Sequence, residues 1–288
     1  MQYFSNRTFT AARISLLLAV AISPLTLACG ANSGEQDPGP SGDEASITSK
    51  DGTPESDGAS AEDKAAASNP ADILDLTNWK ITLPTGSSES PKEIKQPELD
   101  TYSVSPYFKV NAAGDGVQFR APTNGVTTSG SGYPRSELRE MKDSGKSNAS
   151  WSTSSGTHTM IIDEAITAVP KTKKHVVAGQ IHDASDDVIV IRLEFPKLFV
   201  DINGETGPTL DSNYVLGKRF TVKFVASGGK VKVYYNNSSS AAYTLSKSAS
   251  GCYFKAGAYT QSNCDKESSC SSSNYGEVNI YSLEVTHK

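Results

Sequence analysis

The stretch "RFTVKFVASGGKVKVYYN", residues 219–236, has the pattern of a β-hairpin. Phe220, Val222 and Phe224 alternate with polar residues, and Val231 and Val233 alternate with lysines after the glycine pair. Successive side chains of a strand point to opposite faces, so this alternation predicts two strands with one apolar face each. A short glycine-containing segment between two such runs favours a tight antiparallel turn. We therefore predict a hairpin that buries one face.

The same kind of pattern recurs from about residue 70 to the end of the chain. Short alternating runs are separated by Gly, Asn, Ser and Pro, and no amphipathic helical pattern exceeds about two turns. No repeat of solenoid or propeller period is present in the sequence. Many short antiparallel strands in one domain, residues 70–288, predict an all-β jelly roll: a sandwich of two antiparallel sheets. Folds of this type often carry a groove on a concave sheet.

The first 28 residues are typical of a secretory signal peptide. Arg7 and Arg13 precede the apolar run "ISLLLAVAISPLTLA", which is short and interrupted by proline, unlike a membrane span. The run ends at Ala28 and is followed by Cys29, as in a bacterial lipoprotein cleavage box. We expect an exported protein in which Cys29 is lipidated and anchors the chain at the outer membrane or cell surface. Ordinary secretion after cleavage near Ala28 is the alternative.

Residues 29–69 form an acidic segment that lacks aromatic residues and has almost no large aliphatic ones. Such a composition buries too little apolar area to offset the entropy of ordering, so a disordered linker is predicted. Before residue 70 there are four basic and nine acidic side chains, against totals of 27 and 32. The net charge of −5 therefore belongs to the N-terminal segment, and the remaining chain is balanced. An anionic ligand for the folded domain is not excluded.

Three of the four cysteines lie in the predicted domain: Cys252, Cys264 and Cys270. If residues 253–261 form one strand, Cys252 and Cys264 are separated by roughly 30 Å at ~3.3 Å per residue. A disulfide needs Cα atoms within about 7 Å. We therefore expect a Cys264–Cys270 disulfide across a small serine-rich loop, with Cys252 left free.

Three predicted strands each present a row of polar side chains on one face. They are "PRSELRE" at 134–140, "VVAGQIH" at 176–182 and "YFKAGAYTQ" at 253–261. The rows comprise Arg135, Glu137 and Arg139; Gln180 and His182; and Lys255, Tyr259 and Gln261. Gly257 belongs to the third row, where a missing side chain leaves room for a ligand to approach the sheet. Any solvated sheet face alternates in this way, so each row taken singly is weak evidence of a site.

The segments "RSELR", "QIH" and "YFKAGAYTQ" resemble the three signature motifs of the alginate lyases of polysaccharide lyase family 7. All three occur in the order found in that family, and "SLEVTH" near the C-terminus fits as well. The resemblance covers the chain from about residue 70 onward and implies a β-jelly roll. It implies cleavage of a 1,4-linked polyuronate, alginate, by β-elimination, with no cofactor.

The resemblance also assigns roles to four residues. Arg135 and Gln180 hold the carboxylate next to the C5 proton, where negative charge develops. Tyr259 protonates the leaving glycosidic oxygen. In guluronate the C5 hydrogen and the C4 oxygen lie on opposite sides, which makes neutral His182 the base. In mannuronate they lie on the same side, and Tyr259 serves as both acid and base.

Further residues carry over as groups that hold the substrate or orient the catalytic four. They are Glu137, Arg139, Lys255 and Gln261. Glu137 is expected to act on its neighbours, because a carboxylate facing a polyanion would repel it. Within the family, "QIH" is associated with activity on guluronate-containing stretches. The alternation points Ile181 away from the sugar, so its effect would be transmitted through packing.

A non-catalytic alginate-binding lipoprotein is the main alternative function, although the retained Tyr259 and His182 argue against it. A glycoside hydrolase needs two carboxylates at hydrolytic spacing, and Asp163, Glu164 and Glu194 do not form such an array. No nucleic-acid-binding motif is present in the sequence, and nucleic acid is not expected as a partner. A monomer is expected. The basic run "PKTKKH" at 170–175 is interpreted as a solvated turn or as a rim for the polyanion.

A metal site is not expected from the sequence. His158, His175, His182 and His287 are scattered along the chain, and the sequence shows no tight cluster of histidines with acidic residues.

Overall fold

The computed structural model describes residues 66–288. The predicted signal peptide with Cys29, and the linker up to residue 65, lie outside the described residues. Within 66–288, no helix is both long enough and apolar enough to cross a membrane.

The described chain is built from β-strands and three short 3-10 helices. The strands are β1 (Trp79–Ser87), β2 (Ser90–Ile94), β3 (Phe108–Val110), β4 (Val117–Pro122), β5 (Arg135–Lys142), β6 (Ser147–Asn148), β7 (Trp151–Ser152), β8 (Thr157–Ala168), β9 (His175–His182), β10 (Asp187–Glu194), β11 (Lys197–Ile202), β12 (Glu205–Asp211), β13 (Phe220–Ser227), β14 (Lys230–Tyr235), β15 (Tyr243–Ser246), β16 (Ser250–Thr260) and β17 (Tyr275–His287). The helices are Pro70–Asp72, Glu98–Thr101 and Cys264–Lys266.

The strands form two antiparallel sheets. Sheet A has the order β12-β11-β10-β9-β16-β5-β1-β2, with β6 paired to β5 and β7 paired to β16. Sheet B has the order β15-β14-β13-β8-β17-β4-β3. The predicted all-β sandwich of two antiparallel sheets is confirmed. Strands that are distant in sequence, such as β5, β9 and β16, become neighbours in sheet A.

The hairpin predicted at residues 219–236 is confirmed. β13 and β14 pair so that Ser227 lies opposite Lys230. Gly228 and Gly229 between them have φ values of +58° and +72°. Two consecutive residues with positive φ match the twist of the flanking strands, and glycine adopts this conformation without steric cost.

The core lies between the two sheets and is filled by side chains from their facing surfaces. Phe119, Ile162 and Phe224 of sheet B and Ile181 and Phe254 of sheet A are fully buried. Burial of each such side chain contributes about 1.5–3 kcal/mol. This apolar layer fixes which face of β5, β9 and β16 points inward, and so turns their polar rows toward the outer face of sheet A.

The predicted disulfide joins Cys264 to Cys270, whose Cα atoms are 4.6 Å apart. Cys252 is free and buried, as expected. The disulfide closes the loop that follows β16, which leaves the strand and its polar row uninterrupted.

Candidate active site

The three predicted polar rows lie side by side on the outer face of sheet A. β16 lies between β5 and β9. Its Lys255 pairs with Arg139 on one side and with Gln180 on the other, and its Tyr259 pairs with Arg135. The rows predicted separately from three sequence segments therefore form one polar surface, which we call the polar face.

Glu137 is at the centre of the polar face and is 1% exposed. Its Oε2 lies 2.6 Å from Lys255 Nζ and 3.1 Å from Arg135 Nη1. Its Oε1 accepts a hydrogen bond from Gln180 Nε2. One residue from each of the three rows thus converges on a single carboxylate, which agrees with the predicted orienting role of Glu137.

Electrostatics favour the ionised carboxylate. Burial opposes ionisation, but the positive charges of Lys255 and Arg135 outweigh it and hold the pKa of Glu137 below its ordinary value. Burial, together with the nearby Arg135, lowers the pKa of Lys255 to about 8 in spite of its contact with Glu137. At neutral pH the cluster carries two positive charges and one negative charge, and its net charge of one favours an anion.

Tyr259 is held between Arg135 and a loop that connects β4 to β5. The guanidinium carbon of Arg135 lies 3.9 Å from the centroid of the Tyr259 ring. The phenolic oxygen lies 2.7 Å from Ser131 Oγ. Tyr133 donates its backbone N–H to the same Oγ, at 3.1 Å. The Ser131 hydroxyl also lies 3.5 Å from the carbonyl oxygen of Tyr133, and either hydroxyl of the Ser131–Tyr259 pair can donate to the other.

His182 is held as a neutral imidazole with one free nitrogen. Its Nδ1 is 2.7 Å from the carbonyl oxygen of Asp183. Since a carbonyl only accepts, Nδ1 carries the hydrogen and the Nε2 of a neutral ring has a lone pair. Burial lowers the pKa of His182 below its ordinary value of 6.5. The ring stacks on Tyr253, with centroids 5.2 Å apart, which fixes its orientation.

Arg139 and Gln261 lie toward opposite ends of the polar face. Arg139 packs over the Tyr253 ring at 4.0 Å and donates to the carbonyl oxygen of Glu140. Gln261 accepts a hydrogen bond from Arg192 Nη1 at 3.5 Å. Within residues 66–288 neither side chain bonds Glu137, although Arg139 lies opposite Lys255 on the neighbouring strand and its charge also lowers the pKa of Lys255.

Sequence and fold comparisons identify the family. A family model described as alginate lyase matches residues 74–287. The chain belongs to the alginate lyases of polysaccharide lyase family 7. Among solved structures, the alginate lyase from Corynebacterium sp. is 56% identical, covers 78% of this chain and 100% of its own, and has a TM-score of 0.76. The family 7 lyase AlgAT5 is 60% identical over 76% of this chain and 99% of its own, with a TM-score of 0.72.

A more distant alginate lyase has been solved with a bound oligosaccharide. The family 7 lyase A1-II', carrying His-to-Asn and Tyr-to-Phe substitutions, is in complex with a substrate designated GGMG. It is 26% identical to the present lyase, covers 77% of this chain and 97% of its own, and has a TM-score of 0.64.

Gly257 was predicted to leave room for a ligand, but the lyase structure requires a glycine at this position for a different reason. Gly257 has a φ of +133°, and a Cβ there would lie 2.6 Å from the carbonyl oxygen of Ser136 and 3.0 Å from a ring carbon of Phe119. The backbone conformation and the close approach of β5 both demand glycine.

Several residues of the polar face were missed by the sequence analysis. Lys80 and Thr82 of β1 pair with Arg139 and Glu137 and extend the face by one strand. The alternation in "WKITL" was a signal for them. Arg192 was missed because a bulge in β10 interrupts its alternation. Ser131 lies in a loop, where no periodicity exists to reveal it.

The basic run at 170–175 reaches the loop that carries Ser131. Lys173 Nζ is 2.9 Å from the hydroxyl oxygen of Tyr133 and lies over its ring. This position agrees with a rim for a polyanion rather than with a turn that contacts only solvent.

The carboxylates considered for hydrolysis do not form a pair. Asp163 binds Arg219, with an Oδ1–Nε distance of 2.6 Å. Glu164, its neighbour on β8, is buried in the interior. Adjacent strand residues point to opposite faces, so the two carboxylates cannot contact the same substrate.

No group of three or more metal-ligating side chains of suitable geometry is found within residues 66–288. Two of the histidines that are scattered along the sequence nevertheless meet in the structure. His158 and His287 have their Nδ1 atoms 2.7 Å apart. They are brought together because β8 and β17 are paired in sheet B.

Proposed function

We propose that this alginate lyase cleaves guluronate-containing stretches of alginate, with His182 as base and Tyr259 as acid. Arg135 and Gln180 hold the carboxylate of the sugar whose C5 proton is removed. The observation that carries the proposal is the convergence of these groups around the Glu137–Lys255 pair on one sheet face.

The chemistry needs positive charge at the substrate carboxylate. Removing the C5 proton places further negative charge next to a group that is already anionic, so the barrier falls when donors and cations face that group. Arg135 and Lys255 supply two charges, of which Glu137 neutralises one. A bound uronate carboxylate balances the remaining charge, and the cluster is preorganised because Glu137 fixes both cations before substrate arrives.

The placement of His182 and Tyr259 favours proton transfers on opposite sides of the sugar. His182 pairs with Tyr253 near one end of β16, whereas Tyr259 lies six residues further along that strand. The Glu137–Lys255 pair lies between them. A base and an acid that approach from the two ends of a cluster suit guluronate, in which the C5 hydrogen and the C4 oxygen are on opposite sides.

The A1-II' complex supports the same assignment. In that relative, replacement of a histidine and a tyrosine accompanies a bound, uncut substrate designated GGMG. A tyrosine and a histidine are also the proposed acid and base of the present lyase.

The main alternative, a non-catalytic alginate-binding protein, needs the cations and makes no use of the acid and base. A free Nε2 on His182 and a phenol paired with Ser131 are features of a proton-transfer site. These features favour catalysis over binding alone.

The deciding experiment follows the ultraviolet absorbance of the double bond that elimination creates in conjugation with the carboxylate. Purified enzyme is assayed on polyguluronate, polymannuronate and a neutral glucan, beside Tyr259→Phe. We expect absorbance to rise fastest on polyguluronate and not at all on the glucan, and Tyr259→Phe to bind polymer without cutting it. Retained binding with no rise on either uronate would favour the binding protein. A faster rise on polymannuronate would contradict the guluronate preference.

The role of Ile181 in this preference is tested by Ile181→Val. Ile181 is fully buried and points into the core, so any effect reaches the sugar through the positions of Gln180 and His182. The ratio of rates on polyguluronate and polymannuronate should shift toward polymannuronate. An unchanged ratio would show that the central residue of "QIH" has no part in selecting substrate.

We further propose that the lyase is exported and anchored at the cell surface by a lipid on Cys29. The support is the apolar leader that ends at Ala28 and the acidic segment that follows it. Fractionation of cells that produce the full chain or Cys29→Ala tests this. The wild type should fractionate with membranes and the variant should be released; equal release of both would favour ordinary secretion.

A further inference from the structure

Beneath the polar face, on the inner side of sheet A, lies a hydrogen-bonded cluster that the proposed chemistry does not use. Glu140 follows Arg139 on β5 and is 3% exposed. Its Oε2 accepts the backbone N–H of Phe254 at 2.9 Å and the indole N–H of Trp151 at 3.0 Å. A buried carboxylate thus takes the place of a backbone acceptor for one amide of β16.

The other oxygen of Glu140 starts a chain through two histidines. Oε1 lies 2.6 Å from His287 Nε2. His287 Nδ1 lies 2.7 Å from His158 Nδ1, and His158 Nε2 lies 2.8 Å from the carbonyl oxygen of Ser155. Trp151 stacks on His158 with ring centroids 4.4 Å apart and fixes the ring plane. His287 belongs to the "SLEVTH" segment, for which the proposed mechanism has no role.

Both oxygens of Glu140 are therefore engaged. Oε2 accepts two N–H bonds, and Oε1 is held by His287, whose other ring nitrogen contacts His158. The Ser155 carbonyl only accepts, so it ends the chain as the acceptor of the His158 Nε2 hydrogen. The carboxylate is thus fixed by side chains from β7 and β17 and by the backbone of β16.

The chain is connected to the polar face through Phe254. The two neighbours of Phe254 on β16 are Tyr253, which stacks on His182, and Lys255, which binds Glu137. We propose that Glu140, held by His287, is a positioning residue that keeps this part of β16 in register. Loss of its carboxylate leaves the Phe254 amide without its acceptor and misplaces both neighbours. The inference rests on the proposed function, since those neighbours orient its base and its carboxylate-binding cluster.

The chain borders a cavity of about 590 Å³, whose rim includes Glu284 on β17.

Glu140→Gln separates the charge of the Glu140 side chain from its hydrogen-bonding geometry. The amide oxygen can accept from Phe254 and Trp151, and the amide nitrogen can donate to His287 Nε2. Every link is then satisfied by two neutral imidazoles. Glu140→Ala removes the links altogether, and Glu284→Gln, on the rim of the same cavity, is the matched control.

We expect Glu140→Gln and Glu284→Gln to keep kcat on polyguluronate within about twofold of wild type at neutral pH, and Glu140→Ala to lose about tenfold or more, chiefly in kcat. Rescue by glutamine and loss with alanine would show that the hydrogen bonds of residue 140 position the strand. Wild-type kcat in Glu140→Ala would overturn the proposal.

A second readout does not depend on lyase activity. Amide hydrogen exchange at Phe254, followed by NMR, should accelerate in Glu140→Ala and remain slow in Glu140→Gln. Unchanged exchange in Glu140→Ala would refute the inference. A wild type that cuts no uronate polymer but gives the expected exchange result would refute only the proposed function.

Discussion

The carboxylate of Glu137 lies 2.6 Å from the ammonium group of Lys255, and both side chains are buried in the polar face. A buried ion pair stabilises a fold only when its remaining hydrogen-bonding positions are also filled. Arg135 and Gln180 fill those positions on Glu137. The pair is thus at once a structural element and the source of the positive charge that meets the substrate.

Removal of the Glu137 carboxylate is expected to cost both stability and activity. Glu137→Ala leaves Lys255 and Arg135 as neighbouring buried cations, which should lower the free energy of unfolding by about 3–5 kcal/mol. Urea denaturation at pH 7 measures this. Glu93→Ala is the control, because Glu93 binds Lys80 at 2.7 Å in a more exposed position and should cost about 1 kcal/mol or less. Equal losses in the two variants would contradict the central role of Glu137.

Ser131→Ala should slow the chemical step without weakening binding. When Tyr259 gives up its proton, the Ser131 hydroxyl donates to the resulting oxyanion, and loss of that donor should reduce kcat by about tenfold or more. KM should change little. Steady-state rates on polyguluronate test this, with Ser129→Ala in the same loop as the control, because Ser129 is exposed. An unchanged kcat would show that the 2.7 Å contact is absent from the reacting complex.

His182→Ala should discriminate between the two uronates. Loss of a general base costs about 10²–10⁴-fold in rate, so polyguluronate cleavage should fall by that amount. Cleavage of polymannuronate, in which Tyr259 can serve as both base and acid, should fall less. The two substrates assayed on one protein preparation control for damage to the fold, and equal losses on both would contradict the assignment of His182 as the guluronate base.

The wild-type pH profile provides an independent check on His182. Burial lowers its pKa below 6.5, so the neutral base is already populated in mildly acidic solution. The acidic limb of kcat/KM on polyguluronate should have its midpoint below pH 6.5. A midpoint above 6.5 would mean that the imidazolium is favoured in the enzyme, or that another group limits the rate.

Glu164 should make the lyase lose stability as pH rises. Burial, and to a smaller extent Asp163, raises its pKa from 4.5 to about 8, and neither carboxylate oxygen has a hydrogen-bond partner within residues 66–288. Between these two values the unfolded chain has released the proton and the folded chain retains it. The contribution of Glu164 to the free energy of unfolding is therefore fully present below about pH 4.5 and declines by about 1.4 kcal/mol per pH unit up to about pH 8.

Glu164→Gln removes this decline, because an amide has no proton to lose in this range. The stability of the variant should depend less on pH than that of the wild type. Relative to the wild type, the variant should become more stable between pH 5 and pH 8, within the interval that the Glu164 pKa defines. Denaturant midpoints across that range measure the difference. A wild-type–variant gap that does not widen with pH would show that Glu164 is ionised in the folded protein.

The polar rows show what the alternation of polar and apolar residues can predict and what it cannot. Period-two patterns predicted that Arg135, Glu137 and Arg139 share a face and that Lys255 and Tyr259 share another. They did not reveal that β5 and β16 are adjacent or that Arg135 lies opposite Tyr259. That pairing joins segments far apart in sequence, and it depends on how the apolar faces of all the strands pack together.

The sequence by itself determined the strands, the hairpin at 219–236, the Cys264–Cys270 disulfide and the family, because alternation, turn residues and short motifs are local properties of the chain. Only the tertiary structure placed Ser131 against Tyr259 and brought His158 next to His287 beneath the polar face. Ser131 is in a loop without periodicity, and the two histidines are 129 residues apart in the sequence. Their contacts exist because the tertiary structure brings distant segments within hydrogen-bonding distance: β8 pairs with β17 within one sheet, and the loop before β5 folds over β16.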